Sequence, residues 1–283
     1  MAVNYKEELV GVFGYPVAEN PTCVMQNAAF AAAGLFWRYL TIEVKPEDLP
    51  TAVQGLRALG FRGINCTIPH KVAVIPLLDE VAPDAKLIGA VNTIRRVGDK
   101  LIGENTDGKG FMRGLREQLD PAGKRVVILG AGGAARAITV ELALAGASEL
   151  IVVNRSHERG AGLVAHLQTA VKANARLVDW TSTYAVGGDV DVLVNATSIG
   201  LYPDVDAMPD VRLDGARGDL LVCDVIPNPP NTPLIKLAQG RGLRTINGLA
   251  MLVYQGSIGF EMWTGVQADE SVMKAALEKE FGV

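Results

Sequence analysis

The chain has 283 residues, of which 49% are hydrophobic and 20% are charged, and its formal net charge is −4. This length accommodates two domains, and the acidic balance argues against nucleic acid or an anionic membrane as the main partner. No apolar run reaches the ~18 residues of a membrane span, and the first residues lack a long apolar segment, so we expect neither a transmembrane helix nor a signal peptide. Three dispersed cysteines without a CxxC pair predict reduced thiols and a cytoplasmic protein.

Apolar runs alternate with helical patterns along the first half, which predicts an α/β architecture with parallel sheets. Strands are predicted at 8–15, 37–44 and 63–69, and helices at 25–34, 46–59 and 71–78. Proline opens the second of these helices and Gly60 follows it, as is common at helix ends. Between residues 90 and 107, two alternating segments flank Gly98-Asp99 and predict a β-hairpin.

The second half carries the same alternation. After a helix at 111–119, the breaker Pro121-Ala122-Gly123 marks a candidate domain boundary. The elements predicted beyond it are a strand, a helix and a second strand within residues 125–156, then strands at 191–196 and 219–225 and helices at 232–239, 248–263 and 269–281. This order predicts a Rossmann-type unit.

A glycine-rich turn joins the strand that begins at Arg125 to the helix that follows it. Gly130 permits a tight turn, Gly132 lets backbone amides approach a pyrophosphate, and Ala135 keeps the helix close to the strand. The turn lies between two apolar strands at the spacing of a dinucleotide fingerprint. The alternative is a glycine-rich turn that binds no ligand.

The end of the second strand indicates which dinucleotide is bound. The NAD version of this unit has an acidic residue about 20 positions after the glycines, whereas this chain has Asn154-Arg155. Arg155 and Ser156 are suited to a 2′-phosphate, and Arg159 lies one helical turn further if Ser156 caps a helix. These residues predict NADP(H); the alternative is a pair of solvated surface arginines.

Other polar residues follow predicted strands. Lys71 comes just after a short strand that ends at Pro69, where its ammonium is suited to donate to a carbonyl oxygen, and Asp107 follows the hairpin. Taken alone, a lysine or an aspartate in such a position is more often an exposed surface charge than a catalytic residue. The segment 195–198 lies where a strand ends, at the carboxyl edge of the sheet, where ligands bind. The alternative is that it only caps a helix or turn. The three histidines lack metal-ligand spacing, so we predict no metal.

Several motifs together resemble the shikimate dehydrogenases over nearly the full chain. They are Gly63-Ile-Asn65-Cys-Thr67-Ile-Pro-His-Lys71, Gly89-Ala-Val-Asn92-Thr93, Asn105-Thr106-Asp107-Gly108, the glycine turn, Asn154-Arg155-Ser156, Asn195-Ala-Thr197-Ser198 and Gly248-Leu-Ala-Met251-Leu252-Val-Tyr-Gln255. The resemblance implies hydride transfer between NADP(H) and the 3-dehydroshikimate/shikimate pair, a hydroxylated cyclohexene carboxylate. It also implies two α/β domains with the active site in the cleft between them.

The resemblance further implies domain bounds and residue roles. Residues 1–107 and 248–283 form a substrate-binding and catalytic domain to which the C-terminal helices return, and residues 108–247 form the Rossmann domain. Lys71 and Asp107 are the implied catalytic pair. The implied substrate residues are Asn20, Thr22, Asn65, Thr67, Asn92 and Gln255. The cofactor residues predicted are Gly130, Ala131, Gly132, Gly133, Ala134, Asn154, Arg155, Ser156, Arg159, Ala196, Thr197, Ser198, Val225, Gly248, Met251 and Leu252.

Two departures from the family pattern concern the substrate side. Asn20 and Thr22 stand where most members have two serines that hold the substrate carboxylate, and Pro227 replaces a tyrosine. Quinate or an amino-shikimate therefore remains an alternative substrate, and a non-catalytic NADP(H)-binding regulator remains an alternative of another class. Family members occur as monomers and homodimers, and the sequence does not choose between them.

Overall fold

The computed structural model describes residues 5–283, which divide into two compact units. Unit 1 comprises the described residues 5–106 together with Val253–Val283, and unit 2 comprises Asp107–Leu252. The first four residues, part of the segment in which we expect no signal peptide, lie outside the described range. From residue 5 onward, no helix combines the length and the apolar character needed to cross a membrane.

Unit 1 is built on a six-stranded sheet. Its elements up to residue 106 are β1 (Glu8–Gly14), α1 (Thr22–Ala32), β2 (Trp37–Glu43), α2 (Leu49–Ala58), β3 (Gly63–Cys66), α3 (His70–Ala73), β4 (Glu80–Val81), α4 (Pro83–Ile88), β5 (Thr93–Val97) and β6 (Lys100–Glu104). The strand order is β2-β1-β3-β5-β6-β4. Buried apolar side chains such as Phe13, Ile64 and Leu101 form its core.

The sheet of unit 1 is mixed, which corrects the prediction of parallel sheets. Strand β5 runs antiparallel to both β3 and β6. The predicted hairpin is confirmed, and Gly98 takes a positive φ of 59° in its turn. The predicted helix at 71–78 is shorter, because α3 stops at Ala73 and a 3-10 turn (Ile75–Leu77) follows. Pro76 lacks the backbone N–H that would continue the α-helix.

Unit 2 is built on a second six-stranded sheet, in which every strand is parallel. Its elements are α5 (Asp107–Arg116), β7 (Arg125–Leu129), α6 (Gly133–Leu144), β8 (Glu149–Asn154), α7 (His157–Thr169), β9 (Ala175–Asp179), β10 (Tyr184–Ala185), β11 (Val192–Asn195), β12 (Val211–Arg212), β13 (Leu221–Asp224), α8 (Pro233–Gly240) and β14 (Arg244–Ile246). Strands β10 and β12 pair separately as a small sheet. Helix α9 (Gly248–Thr264) begins in unit 2 and continues into unit 1, which ends with α10 (Glu270–Phe281).

The strand order of unit 2 places its candidate site. The order is β14-β13-β11-β7-β8-β9, so the chain moves outward from β7 through β8 to β9 and then returns to the other side of β7 at β11. The central strands are buried apolar runs, as expected of a parallel sheet covered on both faces. Ligands of such sheets bind at the carboxyl ends where the strand order reverses. Residues 130–133 and 195–198 lie at those ends.

Candidate active site

Three of the predicted substrate residues meet in one buried network in unit 1. The Asn92 Nδ2 group donates to Thr106 Oγ1 at 2.9 Å and to Gln255 Oε1 at 3.4 Å. The Thr106 backbone N–H donates to Asn92 Oδ1 at 2.7 Å. Asn65 joins through its Nδ2 group, which lies 2.8 Å from Thr93 Oγ1, and that hydroxyl lies 3.2 Å from Thr106 Oγ1. The structure therefore brings Asn65, Asn92 and Gln255 together.

Sequence reasoning missed three members of this network. Thr93 and Thr106 stand inside the motifs that identified their neighbours, so their position next to Asn92 and Asp107 was the available signal. Tyr39 lies on β2 in no recognisable motif, and its hydroxyl donates to Asn65 Oδ1 at 2.7 Å. Burial raises the pKa of Tyr39 well above its ordinary value, so the phenol stays neutral and able to donate.

Lys71 is the second residue of α3, which begins four residues after β3 ends at Cys66. Its backbone oxygen accepts from the Val91 N–H at 2.8 Å, which ties α3 to the segment that carries Asn92. Burial raises the pKa of the Cys66 thiol to about 12, and the positive charge of Lys71 acts in the opposite direction. His70 is fully buried, and its Nε2 atom lies 2.7 Å from the carbonyl oxygen of Val44, where it acts as a donor. The ring of His70 therefore anchors α3.

The residues predicted near the substrate carboxylate lie at the carboxyl ends of β1 and β3. Asn20 Oδ1 accepts from the Thr22 N–H at 3.0 Å at the start of α1. Because the Thr22 N–H can only donate, the Asn20 amide turns its oxygen toward it. Thr67 donates its backbone N–H to Phe13 at 2.9 Å, and a Cβ on Gly14 would lie 2.5 Å from Thr67 Cγ2. Gly14 therefore permits the close approach of Thr67 to the end of β1.

Asp107 is the first residue of α5 and is buried. A Cβ on the neighbouring Gly108 would lie 2.7 Å from the carbonyl oxygen of Ala137, so this glycine lets α5 pack closely on α6. Lys71 belongs to unit 1 and Asp107 to unit 2.

The glycine turn of unit 2 has the shape that its sequence predicts. Gly130 takes a φ of 105°, and a Cβ there would lie 3.0 Å from the carbonyl oxygen of Ala196 and 3.1 Å from Thr197 Cγ2. A Cβ on Gly132, by contrast, would meet no described atom within 4 Å. Helix α6 begins at Gly133, so its first backbone N–H groups adjoin this open space. The turn thus provides N–H donors and room for an anion.

The prediction that Arg155 and Arg159 bind one phosphate requires that Ser156 caps a helix, and the end of β8 has this geometry. Ser156 is the N-cap of α7, and its hydroxyl oxygen accepts from the Arg159 N–H at 3.4 Å. The Asn154 Nδ2 group donates to the Ser156 carbonyl oxygen at 2.7 Å and shapes the turn between strand and helix. Arg155 and Arg159 are both exposed on this side.

A cavity of about 550 Å³ lies within unit 2 beside Arg155. Ser198 and Ile199 line it from the loop after β11, and Trp180 lines it from the segment after β9. The structure thus brings two predicted cofactor residues, Arg155 and Ser198, to one cavity. Its remaining lining residues, which sequence reasoning missed because they carry no motif, are Thr181, Ser182, Asp204, Ala207, Met208 and Asp210.

A buried carboxylate connects the loops after β11 and β13. Asp224 accepts from Asn195 Nδ2 at 3.1 Å to each oxygen, from the Ile226 N–H at 3.1 Å and from the Thr232 hydroxyl at 2.8 Å. Asn195 Oδ1 accepts in turn from the Thr197 hydroxyl at 2.7 Å. Burial raises the pKa of Asp224 to about 6, although these donors act to lower it. The network holds the segments that contain Ala196, Thr197, Ser198 and Val225.

Helix α9 starts against the loop after β13. A Cβ on Gly248 would lie 2.1 Å from the carbonyl oxygen of Ile226, so only glycine fits there. Gly248 is thereby packed against the loop that directly follows Val225. Met251 is buried and Leu252 half-buried in the first turn of this helix.

A parallel sheet with an open glycine turn at its switch point, and an arginine-lined cavity beside it, defines a dinucleotide-binding protein. Residues 12–94 match the family described as the shikimate dehydrogenase substrate binding domain, residues 115–209 match shikimate / quinate 5-dehydrogenase, and residues 248–278 match the shikimate 5′-dehydrogenase C-terminal domain. The chain belongs to the shikimate dehydrogenase family.

Individual relatives cover almost the whole chain. A shikimate dehydrogenase (NADP(+)) of Methanopyrus kandleri is 45% identical over 98% of this chain and 97% of its own length. A solved shikimate dehydrogenase in complex with NADP+ is 40% identical, covers 99% of this chain and 98% of its own, and superposes with a TM-score of 0.90. The ligand-free 5-ketofructose reductase of Gluconobacter sp. strain CHM43 is 46% identical, covers 98% and 100%, and has a TM-score of 0.91.

The buried Asp224 predicts an unusual pH dependence of stability. Its pKa in the folded protein, about 6, exceeds the ordinary 3.8, so the folded state holds a proton that the unfolded state has released. The contribution of Asp224 to the free energy of unfolding therefore falls as the pH rises from about 4 to about 6. Urea unfolding of wild type and Asp224→Asn across this range measures it, and we expect the wild type to lose stability relative to the variant.

Asp219→Asn is the matched control, because Arg217 lowers the pKa of that exposed carboxyl. The contribution of Asp219 to the free energy of unfolding is lost as the pH falls, whereas that of Asp224 is lost as the pH rises. A wild-type to Asp224→Asn difference that stays constant with pH would contradict the prediction.

Proposed function

We propose that this chain catalyses the reversible NADPH-dependent reduction of 3-dehydroshikimate to shikimate. The observation that carries the proposal is the buried network of Asn65, Asn92 and Gln255 in unit 1, present in the same chain as the glycine turn and Arg155. Its relatives include proteins named shikimate dehydrogenase (NADP(+)) that match nearly the full chain. A polyhydroxylated ring suits amide side chains, because each amide has both a donor and an acceptor.

The residues of unit 2 fit NADP(H). The N–H groups at the start of α6, beside the open space at Gly132, are suited to the pyrophosphate. Arg155, Ser156 and Arg159 are suited to the 2′-phosphate, because guanidinium groups bind phosphate through charge-assisted hydrogen bonds. Ala196, Thr197, Ser198 and Val225 lie in the segments that the Asp224 network holds at the carboxyl edge of the sheet. When bound, the cofactor supplies the hydride.

Within this proposal, Lys71 and Asp107 are the catalytic residues. Reduction of a ketone places negative charge on its oxygen, and an ammonium group is suited to stabilise that charge and to provide the proton. A carboxylate that acts with the lysine favours its charged form. In oxidation the neutral Lys71 amine takes the proton of the substrate hydroxyl group, and proton exchange with solvent restores the starting form of Lys71 after either reaction.

The proposal extends to the organisation of the protein. Residues 1–107 and 248–283 act as the substrate-binding and catalytic domain, and residues 108–247 act as the NADP(H)-binding domain. Asn20, Thr22 and Thr67 serve the carboxylate region of the substrate. The protein works in the cytoplasm without nucleic acid, as a monomer or a homodimer. Light scattering coupled to size-exclusion chromatography distinguishes the two states.

A second candidate is the reduction of a ketose. The 46% identical Gluconobacter protein is named a 5-ketofructose reductase, and this chain has Asn20 and Thr22 where most family members have paired serines. An open-chain polyol ketone also requires amides that pair with hydroxyl groups, but it has no carboxylate. Quinate and an amino-shikimate remain the alternatives closest to shikimate itself.

A substrate-by-cofactor kinetic panel tests the proposed function. We expect kcat/KM with NADPH to be higher for 3-dehydroshikimate than for 5-ketofructose, because the latter lacks the carboxylate that Asn20, Thr22 and Thr67 are proposed to serve. We also expect kcat/KM with NADP+ to be higher for shikimate than for quinate. Nicotinamide absorbance follows each reaction. A higher value for 5-ketofructose would replace the proposed substrate with the second candidate. Tight NADPH binding without turnover of any compound would indicate a regulator.

Replacement of the proposed acid tests the mechanism. Lys71→Ala should lower kcat by roughly 10²- to 10⁴-fold, the range typical of lost acid-base catalysis, while NADPH affinity changes little. Lys100→Ala is the matched control, because Lys100 is an exposed lysine of the same unit that pairs with Glu80. Turnover of Lys71→Ala near that of the control would contradict the assignment.

Replacement of Arg155 tests the cofactor assignment. Arg155→Ala should raise the Kd of NADPH by at least about tenfold and leave that of NADH nearly unchanged, because only NADPH carries the 2′-phosphate. Titration calorimetry measures both constants. Arg241→Ala, an exposed arginine of the same unit that pairs with Asp214, is the control. An equal loss for both cofactors would argue against contact with the 2′-phosphate.

A further inference from the structure

Tyr39 lies behind the amide network of unit 1 and is almost completely buried. Its hydroxyl lies 2.7 Å from Asn65 Oδ1, and its ring packs at a tilt against Trp263 with centroids 6.1 Å apart. Its backbone is held on both sides by the side chain of Asn27, which accepts from the Tyr39 N–H at 2.9 Å and donates to the Tyr39 carbonyl at 3.2 Å. The position of the phenol is therefore well determined.

The surroundings of Asn65 decide which way its amide faces. The carbonyl oxygen of Asn92, 3.1 Å away, can only accept, so the Asn65 nitrogen must face it. The second hydrogen of that nitrogen is donated to Thr93 Oγ1 at 2.8 Å. Asn65 Oδ1 must then face Tyr39, and the phenol must donate. Both hydrogens of the Asn65 amide are thus used, while its oxygen keeps one lone pair beyond the bond from Tyr39.

We propose that Tyr39 is a positioning residue that holds Asn65 as a hydrogen-bond acceptor toward the substrate. At this point the site then selects a substrate that presents a hydroxyl group and discriminates against one that presents a carbonyl or ether oxygen. The proposal rests on the proposed function, in which Asn65 contacts the substrate. It adds Tyr39 to the residues of the site and specifies that Asn65 accepts the hydrogen bond from the substrate.

Two features make Tyr39 suited to this task. Its phenol stays protonated because burial raises its pKa, so it donates over the whole working range of pH. The phenol is also fixed in place, because Asn27 holds the Tyr39 backbone and Trp263 packs against its ring. A phenylalanine would fill the same space against Trp263 but would leave Asn65 Oδ1 without this donor.

Steady-state kinetics of Tyr39→Phe test the proposal, with NADPH and whichever ketone the wild type reduces best. We expect KM for the ketone to rise roughly tenfold, as for the loss of one buried hydrogen bond, with kcat changed less than about threefold and the Kd of NADPH unchanged. In an Asn65→Ala background, Tyr39→Phe should have no further effect on KM, because Tyr39 acts through Asn65. Tyr5→Phe, at an exposed tyrosine of the same unit, is the control.

Two results would overturn the proposal: an unchanged KM in Tyr39→Phe, or an equal change in the presence and absence of Asn65. If Tyr39→Phe does not fold, Thr93→Val removes the partner on the other side of the same amide. That variant should also raise KM, and an unchanged KM would overturn the proposal. A wild type that reduces no ketone would refute the proposed function, whereas an active wild type matched by Tyr39→Phe would refute only the role of Tyr39.

Discussion

The candidate site depends on the requirement that buried amide and carboxylate groups find hydrogen-bond partners. In unit 1, Asn65 lies almost fully buried among Tyr39, Thr93 and the carbonyl of Asn92, and its orientation has one solution. An amide held in this way offers the same atom to every ligand. In the proposed function, unit 1 therefore discriminates between hydroxyl and carbonyl groups of the substrate without moving its own side chains.

Unit 2 meets the same requirement with a carboxylate. Asp224 accepts from a side-chain amide, a hydroxyl and a backbone N–H, and so joins the loops that follow two neighbouring strands. Gly130 and Gly248 bring backbone into close approach at the same edge of the sheet. Because these contacts join loops that lie far apart in sequence, the placement of the predicted cofactor residues in one loop depends on the other.

Family membership and substrate are separate questions for this chain. The glycine turn, Arg155 and Lys71 are compatible with any NADP(H)-dependent reduction of a polyhydroxylated ketone. The residues that bear on the substrate are few, and Asn20 already uses its carbonyl oxygen to hold the start of α1. Its amide nitrogen can donate either to a carboxylate or to a hydroxyl oxygen, and its oxygen keeps one lone pair that can accept from a hydroxyl group. Relatives of similar identity carry different names, shikimate dehydrogenase (NADP(+)) and 5-ketofructose reductase.

Much of the fold and the glycine turn was predictable from sequence, because hydrophobic periodicity and the backbone preferences of proline and glycine determine structure over a few residues. The hairpin at Gly98 and the N-cap at Ser156 are local in this sense. The antiparallel pairing of β3 with β5, the cavity beside Arg155 and the contact between Tyr39 and Asn65 were not predictable. They join residues far apart in sequence, and only the packing of complete strands and helices decides which of them meet. The sequence by itself therefore determined the family and the types of functional side chains. The tertiary structure decided which partner each buried polar group faces, because those partners are distant in sequence.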